Sequence, residues 1–318
     1  MKQLLFFLRF SLFATMLVHS AQALSSESKT LCVTDDLQHK VCVDQPVKRV
    51  ISLAPGTTEL AFAAGGGKKL VAVDDHSDYP SAVQNIPRIG GYPNVSAEAI
   101  VAMKPDLVLA WSGGNDSRLT GQLEKLGLTL FHSDPIDYDG IASVIRRLGK
   151  TMGTESQAEA SARAFEKRYQ SILSQYSSAE PVRVFFEIWN EPLMTVNGNQ
   201  IISKTIELCG GVNIFADASV RVPRVGIESV LAADPQAIVS SRIVQGGSGI
   251  ESRWQRWGRI HAVKNNHLFT IEGDLITRPT PRALDGAEIL CQQLQTVRME
   301  RARKEASGQT ELLTQGKH

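Results

Sequence analysis

Residues 154–176 read TESQAEASARAFEKRYQSILSQY, a stretch with neither Gly nor Pro near the middle of a 318-residue chain. Its apolar residues are Ala158, Ala162, Phe165, Tyr169, Ile172 with Leu173, and Tyr176. Their alternating spacings of four and three lay one continuous stripe along one face of an α-helix, and that face is expected to be buried. Thr154 followed by Gln157 reads as a capping box at the start, and Pro181 marks the stop. At about 1.5 Å per residue the helix is roughly 35 Å long, the width of a small domain. Alone it fits either a surface helix of one large domain or a spine between two, and its flanks decide.

On the N-terminal side, strands are predicted at Val47–Leu53, Leu70–Val73, Asp106–Trp111 and Leu128–His132. Between them fall helices at Glu59–Ala64, capped by Thr57 or Thr58, then Ala97–Met103, Ser117–Leu126 and Tyr138–Met152. The same grammar restarts after the spine, with strands at Val182–Ile188, Ala237–Ser240 and His267–Ile271. Helices are expected there at Ile202–Cys209 and Glu228–Ala233, and a terminal helix opens at Pro281 and runs to about Arg303. Strands alternating with helices at short spacing argue for parallel sheets wrapped by helices. The segments Glu98–Leu109 and Glu228–Val239 align without a gap: Glu, Ala and Pro coincide and apolar positions exchange only for apolar ones. The halves therefore read as two copies of one unit. The expected fold is α/β, two Rossmann-like lobes with parallel sheets joined by a single long backbone helix, with a ligand cleft between the lobes. Its boundaries are a first lobe at 49–153, the backbone helix at 154–178, a second lobe at 179–304 and a polar, frayed tail at 305–318.

Residues 1–23 are a different material. Lys2, the apolar run around Leu4–Val18 and the small-residue site Ala21-Gln22-Ala23 read as a secretory signal peptide cleaved near Ala23. No other segment approaches the roughly 20 apolar residues of a membrane anchor, so a soluble exported protein is expected. Export favours disulfides among the four cysteines. Cys32 and Cys42 flank VTDDLQHKV, a hairpin pattern inside an extension at 24–48. Of the three connectivities, Cys32 with Cys42 and Cys209 with Cys291 is favoured because it keeps each bridge within one half; four free thiols is the alternative. Thirty-four basic against 33 acidic residues leave a net charge of +1, which gives no footprint for nucleic acid or an anionic membrane.

Glu98 and Glu228 hold matching places in the repeat, each in the first turn of a helix that leads into a strand. A carboxylate there favours the helix N-terminus and needs no other purpose; equally, two matched anions suit a two-fold symmetric partner that meets each with an arginine. Aromatic residues make up only 6% of the chain, so their positions carry weight. Tyr92, Trp111 and Trp189 fall at or beyond predicted strand ends, the edge at which open α/β sheets bind ligands. Flat faces from opposite lobes suit a large planar ligand; filling of the lobe interface is the plainer alternative.

The segments RVISLAPGTTELAFAAG (49–65), SDYP (77–80), KPDLVLAWSGGN (104–115), LCGGVNIF (208–215) and PRALDGAEILC (281–291) resemble the periplasmic cobalamin-binding proteins of the BtuF-like type. These belong to the helical-backbone class of substrate-binding proteins of ABC transporters, and the resemblance runs from about Arg49 to Leu294. It implies a non-enzymatic protein, without cofactor and monomeric when free, that captures cobalamin or a related corrinoid and delivers it to a two-fold symmetric permease dimer. It also implies the Cys209–Cys291 bridge. The corrin-contacting aromatics fall on Tyr92 and Trp111, His76 stands where the family has a tyrosine, and the second-lobe contact loop falls at Asp274–Arg278. Met194 and Val222 stand where the family can place Phe and Trp, Trp189 joins the ligand set, and Glu98 and Glu228 fall on the permease-docking glutamates. No resident metal is implied, with His76 considered as a ligand to the corrinoid's cobalt.

Two rival functions are weighed. Asn190-Glu191-Pro192 after a strand matches the acid/base signature of some barrel glycosidases, but no eight-fold pattern supplies a second carboxylate about 5 Å away. A ferric siderophore or haem carrier of the same fold would use Arg221, Arg224 and Arg278 against an anionic ligand. A zinc or manganese receptor needs clustered ligands, and His39, His76, His132, His261, His267 and His318 show no tight spacing.

Overall fold

Three residues, Val50, Ile51 and Ser52, show why the first sheet forms. They make strand β3 (Val50–Ser52) with every side chain buried, Val50 packing to one face with Leu107 and Leu109, Ile51 to the other with Val108 and Ala110. A strand buried on both faces is a run of apolar residues in a parallel sheet covered by helices. The structure is a computed structural model that describes residues 30–315 apart from 46, 92–93 and 243–248, with side chains described up to 307. The expected signal peptide and Tyr92 lie outside the described residues.

The chain begins with a hairpin, β1 (Thr30–Thr34) against β2 (Lys40–Asp44), in which Cys32 faces Cys42 and bonds to it. After β3 come α1 (Pro55–Ala63), β4 (Leu70–Val73), α2 (Ala97–Ala102), β5 (Leu107–Trp111), α3 (Ser117–Lys125), β6 (Leu130–Ser133) and α4 (Tyr138–Met152). The sheet order is β4-β3-β5-β6, all parallel. Helix α5 (Glu155–Tyr176) then crosses to the second lobe. There β7 (Val182–Glu187) leads to the short hairpin β8 (Trp189–Asn190) and β9 (Leu193–Met194), α6 (Ile201–Leu208) and β10 (Gly211–Asn213). The chain continues through α7 (Ile227–Ala233), β11 (Ala237–Ser241), α8 (Ile250–Trp254), α9 (His261–Lys264), β12 (Leu268–Ile271), α10 (Gly273–Ile276) and α11 (Ala283–Gln315). The second sheet has the order β10-β7-β11-β12, also parallel. Both sheets thus use the order second, first, third, fourth, and the aligned segments become α2-β5 and α7-β11 in equivalent places. Val108 pairs with Ile51, and its repeat mate Ile238 pairs with Phe185.

The apolar stripe of α5 faces inward: Ala158, Ala162, Phe165 and Ile172 are buried, with Tyr169, Leu173 and Tyr176 packed beside them. One continuous cluster runs through that stripe from Phe131 and Ile145 in the first lobe to Phe186 and Leu290 in the second. The Tyr138 ring stacks on Tyr169 at 4.9 Å between centroids, and its hydroxyl meets Thr205 at 2.8 Å on the far lobe. Burial drives the Tyr138 phenol well above its ordinary range, so it stays protonated and bonded. Cys209 is bonded to Cys291, pinning α11 to the end of α6.

Several local expectations are corrected. Thr154 precedes α5 but does not cap it; its hydroxyl donates to Ala64 O at 2.6 Å and so ties α5 to the end of α1. Thr57 and Thr58 lie inside α1, which starts at Pro55, and Thr58 donates to Ser52 Oγ and Ala54 O. The terminal helix does not fray at 305 but continues to Gln315, over residues rich in the helix formers Ala, Glu, Gln and Leu.

Candidate functional site

A cleft of ≈ 910 Å³ opens between the lobes, at the upper end of the range usual for small-molecule sites, about 300–1,000 Å³. Its walls come from just beyond the C-terminal ends of the strands: Pro55 after β3, His76 after β4, Trp111 ending β5, and Asp134 after β6. Ile188 after β7, Arg242 after β11 and Glu272 after β12 answer from the second lobe. This is the edge at which parallel sheets leave loops and backbone groups for a ligand.

Five of the anticipated ligand residues line the cleft: His76, Trp111, Val222, Asp274 and Arg278. Trp111 is half-exposed, and its indole Nε1 donates to Asp134 Oδ1 at 3.3 Å, which holds the ring against the first-lobe wall. Trp189 and Met194 pair across the β8–β9 hairpin and are not among the lining residues; Trp189 Nε1 donates instead to Glu191 O at 2.8 Å. Glu191 itself is exposed in that hairpin's turn and outside the cleft, which removes the glycosidase geometry.

Arg278 joins the cleft lining to a charged clasp between the lobes. Glu59 on α1 is buried, and its carboxylate accepts from Arg278 Nη1 at 3.0 Å, Arg282 Nη2 at 2.6 Å and Thr280 Oγ1 at 2.8 Å. Arg278 reaches Asp78 at 2.8 Å and Asp274 at 2.7 Å as well, so one guanidinium joins carboxylates of both lobes. Arg282 also lies over the Tyr79 ring at 4.2 Å. Burial pushes Asp78 up, but the hydrogen bond and charge of Arg278, with the backbone amide and Arg282, together outweigh it and the carboxyl sits below its ordinary value. For Asp274 burial wins and the carboxyl is raised despite the same arginine. Across the cleft Arg221 pairs with Asp134 at 2.6 Å, and Arg242 with Glu272 at 3.1 Å. The three lining arginines therefore each have a carboxylate partner, and Asp75, Asp78, Asp134, Glu272 and Asp274 outnumber them. Sequence reasoning missed Asp134 and Arg242; Asp134 and its partner Arg221 are 87 residues apart, and no local pattern marks such a pair.

Glu98 and Glu228 are exposed in the first turns of α2 and α7, outside the cleft. The backbone amide of Glu98 and the Ser96 hydroxyl, 3.0 Å away, keep its carboxyl below the ordinary value.

The profile of the periplasmic binding protein family matches residues 50–275, most of the chain. This chain belongs to that family. It is 38% identical over 249 residues to the vitamin B12-binding protein of Vibrio cholerae serotype O1 strain ATCC 39541, covering 78% of this chain and 90% of the relative. Against the vitamin B12-binding protein of Yersinia pestis strain Pestoides F the identity is 38% over 253 residues, with 80% and 88% covered. Among solved structures, the periplasmic vitamin B12-binding protein BtuF of Vibrio cholerae superposes with a TM-score of 0.73 at 38% identity, over 80% of this chain and 98% of that one. The haem-binding protein BhuT in complex with two haems gives a TM-score of 0.70 at 20% identity, over 79% and 98%, a likeness of fold alone. These close relatives are binding proteins and not enzymes. No described helix is long and apolar enough to cross a membrane.

Proposed function

We propose that this protein is exported to the periplasm with cleavage near Ala23, captures cobalamin or a related corrinoid between its lobes, and delivers it to a two-fold symmetric ABC-transporter permease. The observation that carries the choice of ligand is the charge state of the cleft. Haem, through its propionates, and the catecholate and carboxylate ferric siderophores carry negative charge, and a site for them would offer unpaired cations. Here Arg221, Arg242 and Arg278 are each neutralised by a neighbouring carboxylate. A large ligand rich in amides, with a broad apolar ring, fits such walls better than an anion does: the ring meets Trp111, Val222 and Ile188, and the amides meet the paired charges. The named function of the relatives at 38% identity supports the same ligand.

Mixing the protein with cyanocobalamin, followed by calorimetry and the visible corrin band, is the test. A single tight site with one corrinoid per chain is expected. No heat and no spectral change with cobalamin, alongside binding of haem or a ferric chelate, would overturn the assignment.

A further inference from the structure

The disulfide-closed hairpin β1–β2 precedes the span matched by the family profile and takes no part in the cleft. Where its turn meets the end of β6, two histidines distant in sequence come together. His39 and His132 approach edge to face at 5.8 Å between ring centroids. Between them is Asp35, whose side chain is fully buried. Its Oδ1 accepts from the amides of Leu37 at 2.9 Å and His39 at 2.8 Å, its Oδ2 from the amide of His132 at 3.2 Å, and the His39 ring nitrogen Nδ1 stands 3.8 Å from Oδ2. Those three amides satisfy the Asp35 carboxylate and fix it in place, and a buried carboxylate beside two imidazoles is a donor set suited to a metal cation. One oxygen of Asp35 and one ring nitrogen each of His39 and His132 already lie within 4.8 Å of one another.

We propose that Asp35, His39 and His132 form a binding site for one divalent transition-metal ion of the zinc type, at the joint between the hairpin and the first lobe. Two imidazoles and a carboxylate are a borderline nitrogen and oxygen donor set, which zinc accepts at bond lengths of about 2.0–2.2 Å with a water in the open position. Glu124 Oε1, 3.2 Å from His132 Nε2, is the outer partner that fixes the tautomer and leaves the other ring nitrogen of His132 as the donor. Asp35 and His132 are held in place by burial and backbone bonds, whereas the His39 side chain is 58% exposed and is the ligand that swings in to close the site. The ion would bind the hairpin to a strand end that matters: Asp36 N donates to His132 O at 3.0 Å, Asp36 Oδ2 accepts from Asp134 N at 2.7 Å, and Asp134 lines the cleft.

The test uses untagged mature protein, stripped with chelator and free of corrinoid, so that its result does not depend on what the cleft binds. Zinc titrated by calorimetry should bind at one equivalent, and cobalt(II) in its place should give visible absorption bands of a low-coordinate site. His39→Ala, an exposed substitution that leaves the fold intact, should weaken zinc by roughly 10-fold or more; His132→Gln should do the same, and His261→Ala should change nothing. Zinc should raise the melting temperature of the wild type and not of His39→Ala. Failure to bind zinc at millimolar concentration, or equal affinity in wild type and His39→Ala, overturns the proposal.

Discussion

At the residue scale the cleft wall makes the sharpest demands. Trp111 presents a half-exposed ring that its bond to Asp134 holds in place, so ligand contact can be made without first ordering the side chain. Trp111→Ala should weaken cyanocobalamin by about 1–3 kcal/mol, read by calorimetry, with no change in melting temperature. His76 is an exposed cleft residue, and a neutral imidazole is a good donor to a transition metal. Aquocobalamin spectra should therefore shift on binding to the wild type and not to His76→Phe; identical spectra would show that His76 makes no bond to cobalt. Trp111 was legible in the sequence because it ends a predicted strand, and His76 through the resemblance carried by the neighbouring SDYP segment. The ion pair Arg221–Asp134 and the clasp at Glu59 were not, since each joins residues brought together only by the docking of two lobes. His39 and His132 are the same case: 93 positions apart, they look unrelated until β6 and the hairpin meet.

Elements were readable in proportion to their length. The α4 and α5 helices stood out through long apolar periodicity, and the parallel strands through unbroken apolar runs. The hairpin β8–β9 and the single-turn helices α8, α9 and α10 are too short to impose a period and form because the second lobe holds them. The capping box at Thr154 misled for a related reason: a tertiary acceptor, Ala64 O, took the hydroxyl that a local rule assigned to the helix. The α4–α5 corner also carries a prediction. Arg146 on α4 donates to Glu159 and Glu166 on α5 at 2.7 and 2.5 Å. The Arg146 hydrogen bond, helped by Arg163, holds the Glu159 carboxyl down to about 2 from an ordinary 4.5, and Arg146 lowers Glu166 in the same way. Between those values the unfolded chain takes up the proton and the folded chain does not. The stabilisation is therefore complete above the ordinary value and is lost as pH falls towards the folded one. Solvent screening keeps the effect modest, so it is read as a difference. Denaturant unfolding from about pH 5 to about pH 2 should show a shallower acid limb for Arg146→Gln than for the wild type; parallel limbs would mean that the network does not couple the two helices.

For the whole molecule the question is what a rigid pair of lobes is for. The common core through α5, the Tyr138–Thr205 bond and the clasp of Glu59 with Arg278 and Arg282 all cross between lobes, so the distance between one lobe's surface and the other's is set by the fold. In a crossover between parallel strands the helix runs back against the sheet, which places the starts of α2 and α7 on the edge from which the cleft opens. Glu98 and Glu228 stand there, one per lobe, exposed and at equivalent points of the repeat. A partner with two-fold symmetry would meet both at once, each carboxylate against an arginine, with the loaded cleft facing the entrance between them. Being exposed, the pair should matter little to folding: Glu98→Ala with Glu228→Ala should keep the wild-type melting temperature and the wild-type corrinoid titration. Docking to the permease should weaken by roughly 100-fold or more, because each anchor lost leaves a desolvated arginine unpaired, and either single substitution should fall between. A double variant that docks normally but loses corrinoid would place these glutamates in the ligand site or the fold. One that docks normally and still binds corrinoid would leave them as the first-turn carboxylates that any helix favours.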